Sequence, residues 1–410
     1  MEIISVGKSE FLACQENFVT SNFLQSYQIF ELQDDRGHFD LVESVVFVKD
    51  NSIVGLAIID YRKKCYFFKE ALLIQGPVLD YDNTELLSEA IWALEKHVLS
   101  RKACRLMCHP YLKRLRLNEN LQEIGQVENE ATRSLFLKKG YCHSFDPEFL
   151  MNGMAQAFIK DLSLYDNSQA ISKNYATALC RNIKKYKESC VKVRELTKDE
   201  IPIFYDILLK TSDRKQFSVQ DIDFFYKMKE VFQEQAKFMM AYLDTEAYLS
   251  YLNENCDRLQ LEIESLLLKD DSKKRNTAIK NAQRQLTSFQ KRRDEYNSMF
   301  ISEAFLPLSS YLFIEYGDEL ISYAGGNLED YLIFGGATLI NAHMIAYAKN
   351  NAIKYFNFGG TIETSKSKQG IGNFKFKKQF GGELVQFLGS FTKSLNTTGK
   401  LLTFYDRYFS

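Results

Sequence analysis

Between Thr245 and Phe300 the chain runs without a single Gly or Pro, and its apolar residues alternate in steps of four and three. Leu252, Cys256, Leu259, Ile263 and Leu266 mark one seam. After the polar Lys269-Asp270-Asp271-Ser272 the seam resumes at Ile279, Ala282, Leu286, Phe289, Arg293, Tyr296 and Phe300. A seam that returns about every 3.5 residues belongs to a helix packed along its length against another. The polar break predicts two such helices, folding back as an antiparallel coiled coil over 245–300. Arg293 interrupts the seam and predicts loose or edge-exposed packing there. Hairpin-forming sequence follows directly, so the arm is an insertion within a larger α/β unit.

Outside the arm the periodicity changes to strands and short helices. Val42–Val48 reads as a strand, Lys49-Asp50-Asn51-Ser52 as a turn, and Ile53–Ile59 as the returning strand. Leu72-Leu73-Ile74 stops at Gly76-Pro77. A helix is predicted from Thr84, read as its N-cap, with Leu87, Ile91, Leu94 and Val98 on one face. A strand follows at Arg105–Cys108, and a helix from Glu128 to Lys139 is closed by Gly140. The later half repeats the order: a hairpin of Tyr311–Glu315 and Leu320–Ala324, a helix Thr338–Asn350, and a strand Tyr355–Phe358. Each half then reaches a similar phrase, Leu135-Phe136-Leu137-Lys138-Lys139-Gly140-Tyr141 and Phe374-Lys375-Phe376-Lys377-Lys378-Gln379-Phe380-Gly381. The same phrase after the same order predicts two copies of one α/β unit. The predicted boundaries are 1–145 for the first, open to completion by C-terminal residues, and 146–244 with 301–410 for the second.

Charge bears on what such a chain can bind. With 52 Lys and Arg against 53 Asp and Glu, there is no global field to draw nucleic acid or anionic lipid, and any such binding must use local patches. The N-terminus lacks a signal peptide's basic and apolar regions, and no apolar run approaches the roughly 20 residues that span a bilayer. The expectation is a cytoplasmic protein. Eight scattered cysteines without a C-x-x-C pair suit that compartment. Cys104, Cys108 and His109 match no zinc spacing, so no metal is expected.

Several phrases in a fixed order carry a resemblance. They are Phe23-Leu24-Gln25-Ser26, Gly76-Pro77-Val78-Leu79-Asp80-Tyr81, Asn182-Ile183-Lys184-Lys185, and Thr211-Ser212-Asp213-Arg214. Tyr323-Ala324-Gly325-Gly326, Asn357-Phe358-Gly359-Gly360 and Gly372-Asn373-Phe374-Lys375-Phe376-Lys377 complete the series. Taken together the chain resembles the FemA/FemX/MurM family of non-ribosomal peptidyltransferases. The resemblance implies an α/β fold of two tandem GNAT-like domains related by duplication. It implies transfer of Ala, Ser or Gly from aminoacyl-tRNA to the stem-peptide amine of a lipid-linked or UDP-linked peptidoglycan precursor. Aminoacyl-tRNA is then a co-substrate and no cofactor is needed. Transient contact with the inner membrane face, and a monomer or weak homodimer, follow as expectations.

Aminolysis of an ester needs two substrates held together, a stabilised oxyanion and a neutral amine. Lys375 sits in the Phe-Lys phrase that the family places at its cleft, and is the candidate for holding charge there. A solvated strand charge beside Lys377 and Lys378 is the plainer reading. Arg214 offers a planar fork suited to a diphosphate. Phe374 and Tyr331 are candidates for shaping the pocket, and Gln25 belongs to the opening motif. Where many members have a substrate-contacting Lys this chain has Gln33, so nearby Arg36 becomes the candidate contact. His109 replaces a common Asp before Pro110 and is the candidate proton acceptor. Basic residues of one helix, with Lys184 and Lys185, and of the arm, with Lys274 and Arg275, are candidates for tRNA phosphates. An acetyl-CoA-dependent GNAT enzyme is the first alternative, but Gln369-Gly370-Ile371-Gly372 has the wrong spacing for a pyrophosphate loop. A non-enzymatic coiled-coil scaffold is the second.

Overall fold

The turn at Asp50-Asn51 forms with both residues at positive φ, 50° and 62°. That mirror-image turn matches the twist of its flanking strands, Leu41–Lys49 and Ser52–Lys64. The computed structural model describes residues 1–18, 22–64, 68–145, 155–299, 303–360 and 368–409. Phe300 and the segment just after the expected boundary at 145 lie outside them.

Two sheets form. The first orders its strands Glu2–Ser5, Leu41–Lys49, Ser52–Lys64, Phe68–Ile74, Arg105–His109, Ser390–Ser394, Cys142–Ser144. Its one parallel contact sets Leu73 opposite Cys108. The helix Thr84–Ser100 supplies the crossover that a parallel pair needs. It buries Leu87, Ile91, Leu94 and Val98 as the spacing predicts. Its cap is Asn83, whose side chain accepts from the Leu86 N–H, so Thr84 opens the first turn instead.

The second sheet runs Val191–Glu195, Ala236–Asp244, Phe305–Tyr316, Glu319–Asn327, Tyr355–Gly360, Gln156–Asp161, Glu383–Phe387, Lys113–Leu117, Glu123–Ile124. Again an antiparallel run leads to one parallel pair, Leu320 opposite Phe356, bridged by the helix Gly336–Asn350. The closing strands are traded. Ser390–Ser394, from the end of the chain, pairs with Arg105–His109 in the first sheet. Gln156–Asp161 and Lys113–Leu117, from earlier in the chain, lie on either side of Glu383–Phe387 in the second.

The predicted arm is two helices, Thr245–Leu267 and Lys273–Ser298, packed against each other and capped by Asp244 and Ser272. Leu252, Cys256, Leu259, Ile279, Ala282 and Tyr296 are buried along the seam. Half-buried Arg293 donates to Asn253 Oδ1 at 3.4 Å, which accommodates the cation in the seam. The seam's inner end does more than pack on itself. Tyr248, Leu252 and Tyr296 join Phe313, Leu339 and Phe356 in the core of the second sheet. Among the described residues no helix is long and apolar enough to cross a membrane.

The arm is therefore separable only beyond its root. Replacing residues 261–280 by a short Gly/Ser turn is expected to leave the melting temperature within a few degrees of wild type. Replacing 246–299 removes buried Tyr248, Leu252 and Tyr296, each worth roughly 3–5 kcal/mol for aromatics and 2–5 for Leu, and should give insoluble protein. Equal stability of both deletions in thermal melts would show that the root is not part of the core.

A cationic cleft in the second sheet

The cleft begins with a helix where strand was expected. Lys368–Lys377 is helical, so the lysines at 375 and 377 lie about 200° apart around it, whereas a strand would set them on one face. Lys375 is exposed to solvent. Lys377 turns inward and is only 6% exposed. Its Nζ donates to the carbonyl oxygens of Gly359 (3.1 Å) and Gly360 (2.7 Å), where the central strand Tyr355–Gly360 ends. No carboxylate pairs with it among the described residues. Burial, with Lys215 as the nearby like charge, pulls its pKa down to about 7.

Lys215 comes from the last turn of the helix Ile201–Lys215, with Arg214 beside it. Burial and the Arg214 charge lower the Lys215 pKa in turn. Arg214 donates to the Asn327 carbonyl at 3.4 Å and stands 3.5 Å from Glu329. Thr211 ties the same strand end, accepting from the Asn327 N–H. Arg214 thus fixes the strand edge beside the cleft and leaves guanidinium donors unspent.

A cavity of about 410 Å³ lies among these elements, lined by Tyr186, Lys215, Tyr311, Asn327, Gly335, Gly336, Asn373 and Phe376. Its floor includes the start of the helix Gly336–Asn350, whose first N–H groups have no helical partner. Gly335 takes φ +65°, and a Cβ there would overlap the Tyr186 ring. The cavity has Lys215 as the charged residue of its lining, set among polar side chains and the helix start. It suits an anionic or oxyanionic ligand.

The other residues singled out from sequence lie elsewhere or do other work. Phe374 is half-buried and meets the Phe158 ring edge-on, and Tyr331 packs partly on the same core. Gln25 is fully buried: its Nε2 donates to Ile74 O (2.7 Å) and its Oε1 accepts from Ile58 N (2.9 Å), pinning two strands of the first sheet. Arg36 reaches across to the second unit, donating to Gln220 (3.0 Å) and pairing with Asp221 (3.2 Å) over the Phe224 ring. It straps the halves together. Gln33, in the orientation that satisfies both groups, donates to the buried Asp60 carboxyl, which burial pushes up to about 8. His109 is buried with neither ring nitrogen bonded to a described residue, and burial lowers its pKa to about 4. It is neutral at pH 7 and stands in the first sheet. Lys184 and Lys274 are exposed, whereas Arg275 is held in the arm's tip by Lys269 O (2.6 Å) and Asp271 (3.0 Å). Among the described residues no three His, Cys, Asp or Glu gather as metal ligands.

Sequence reasoning reached Arg214 and passed over Lys215 and Lys377. The signal for Lys377 was its i, i+2 relation to Lys375, uninformative until the element was known to be a helix.

Fold and cavity define a two-sheet α/β protein with a cavity at the start of the helix Gly336–Asn350 and the Lys215 cation in its wall. Its sequence matches the FemAB family over residues 6–404, and the chain belongs to that family. It is 28% identical over 409 residues to aminoacyltransferase FemA of Staphylococcus aureus strain MRSA252, covering 97% of this chain and 96% of that protein. FemA of the bovine strain RF122 is 27% identical over 413 residues, with the same coverage. The crystal structure of FemX superposes with a TM-score of 0.74 at 17% identity, each chain covered in full.

Gly335→Ala forces either the Tyr186 ring or the turn to move, and a side chain at positive φ costs about 1–2 kcal/mol. The variant is expected to melt several degrees lower. If its melting temperature equals wild type, the close contact between Gly335 and Tyr186 is not real.

Proposed function

We propose that this chain is an aminoacyltransferase that moves Ala, Ser or Gly from aminoacyl-tRNA to the stem-peptide amine of a peptidoglycan precursor, building the interpeptide bridge. The observation that supports it best is the FemAB match over residues 6–404, joined to a cavity lined by Lys215 with the buried Lys377, near neutrality, close to that cation. The precursor is lipid-linked or UDP-linked, the enzyme works in the cytoplasm or transiently at the inner membrane face, and no cofactor takes part. The two sheets are GNAT-like units related by duplication, with their closing strands exchanged and the coiled-coil arm inserted in the second.

In this reading the acceptor amine attacks the ester carbon and the carbonyl electrons become an oxyanion at the start of the helix Gly336–Asn350. A free lysine amine has a pKa of roughly 10.4 and must lose a proton to attack or during attack. Neutral Lys377 takes that proton as the C–N bond forms. Its ammonium returns the proton to the ribose oxygen as the C–O bond breaks. A group with pKa near 7 serves both steps at neutral pH. Arg214 and Lys215 hold phosphate.

Lys377→Met is expected to lower turnover by about 10²-fold or more, with melting temperature unchanged or raised, because an unpaired buried cation gives way to an apolar chain of similar length. Lys215→Met removes the like charge beside Lys377, so the Lys377 pKa rises. The acid limb of kcat/KM should then move to higher pH relative to wild type, the substrate's own titration being common to both. An unmoved limb removes Lys377 as the proton carrier. Transfer itself is tested with radiolabelled aminoacyl-tRNA and precursor, with acetyl-CoA, and free amino acid plus ATP, as controls. Product from acetyl-CoA alone, or none from any charged tRNA, overturns the reading.

A further inference from the structure

A second cavity lies directly behind the wall of the cleft. It has a volume of about 210 Å³ and sits where the arm's root meets the helix Thr177–Glu188. Tyr186 lines both cavities, and Phe334 and Gly335 are successive residues of the partition. Whole small-molecule sites begin at roughly 300 Å³, so this one fits a fragment of something larger. Its lining is aromatic, with Tyr186, Tyr248, Tyr296 and Phe334, and two cations stand with it, Lys185 and Arg292. The carboxylate of Glu295 also lines it, 3.7 Å from Lys291 Nζ. Ile333 at its mouth is 59% exposed and Leu332 at the mouth of the cleft 51%, so an apolar ridge runs between the two openings.

Aromatic faces beside cations, in a space the size of one ring system, are the features by which proteins hold single-stranded nucleic acid: bases stack on the rings while phosphates meet the charges. The exposed face of the same helix adds Arg181, Lys184 and Lys187, which extends the positive surface away from the cavity. We infer that this cavity receives a nucleobase near the single-stranded 3′ end of the donor RNA, with Lys185 and Arg292 on its phosphates, while the acylated terminus passes Tyr186 into the cleft. The inference rests on the proposed donor. It assigns RNA contact to the root of the arm and not to its tip, where Arg275 is already spent on the turn.

The test uses a fluorescent RNA stem-loop with a short single-stranded 3′ end, and the same stem-loop made blunt, read by anisotropy over a salt series. Wild type should prefer the overhang form. Lys185→Ala/Arg292→Ala should weaken its binding about tenfold or more and flatten the slope of log Kd against log salt by about 1.4, for two single-strand phosphate contacts. Lys269→Ala/Lys280→Ala, on the outer arm, should bind within twofold of wild type. Thermal melts of both variants verify folding, and Ile333→Asp tests the cavity mouth without touching a cation, with loss of the overhang preference expected. If wild type transfers from charged tRNA but the root variants bind the overhang form unchanged, or if blunt and overhang forms bind alike, the cavity assignment falls alone. If wild type neither binds RNA nor uses charged tRNA, the donor reading falls and takes this inference with it.

Discussion

The pairing of Ser390–Ser394 with Arg105–His109 is the contact on which the arrangement of both units depends. It carries the end of the chain back into the first sheet, while Lys113–Leu117 and Glu123–Ile124 cross from the first unit into the second sheet. Neither sheet is complete without strand from the other side of the sequence. The halves therefore cannot fold as beads on a string, and their relative placement is set by backbone hydrogen bonds. Arg36 on Gln220 and Asp221, and Tyr111 donating to the half-buried Glu319 carboxyl at 2.7 Å, add side-chain ties across the same junction. A cleft built on such a frame has its wall residues placed by the sheets, as a pre-organised site requires.

What was legible in the sequence is what local chemistry decides. Asn51 tolerates positive φ, so the first hairpin could be read from its turn. The helix Thr84–Ser100 buries the four residues its spacing named, because an amphipathic face has one way to meet a sheet. The arm's length and seam followed from the absence of Gly and Pro. Strand exchange had no local signal: Ser390–Ser394 reads as any short strand, and only its partner says which sheet it completes. The arm's root shows the same limit. Tyr248 and Tyr296 continue the seam in sequence, yet in space they face the second sheet's core.

The site was legible in part. Arg214 could be found because its phrase is compact, and the structure sets it beside Lys215 at the end of one helix. Gln25 and Arg36 were also visible as special positions, but their work is holding strands and units together. Lys377 was hidden by the choice between strand and helix for one short phrase, Phe374-Lys375-Phe376-Lys377. Alternating Phe and Lys is the pattern of a half-buried strand. Here the aromatic positions instead serve two neighbours of a helix, Phe374 meeting Phe158 and Phe376 meeting Phe380. Tertiary packing overrode the local period, and with it the side on which each lysine emerged.

Two like charges, Lys215 on the cavity wall and Lys377 buried near it, are a cost to the empty protein. Lys377 gives up water for two backbone carbonyls, and Lys215 raises its energy further, which is why its proton is held so loosely. Its two carbonyl bonds are neutral-acceptor contacts, and no carboxylate among the described residues offsets its charge. Positions that oppose stability while their surroundings are well packed are where function is to be looked for. The same reasoning separates Lys377 from Lys160, also buried and lowered to about 8. Lys160 spends its donors on Phe380 O, Asn174 Oδ1 and Tyr165 OH, closing a turn. Lys377 has two carbonyl partners and, when charged, a third N–H left over. That spare N–H is the physical difference between the two buried lysines.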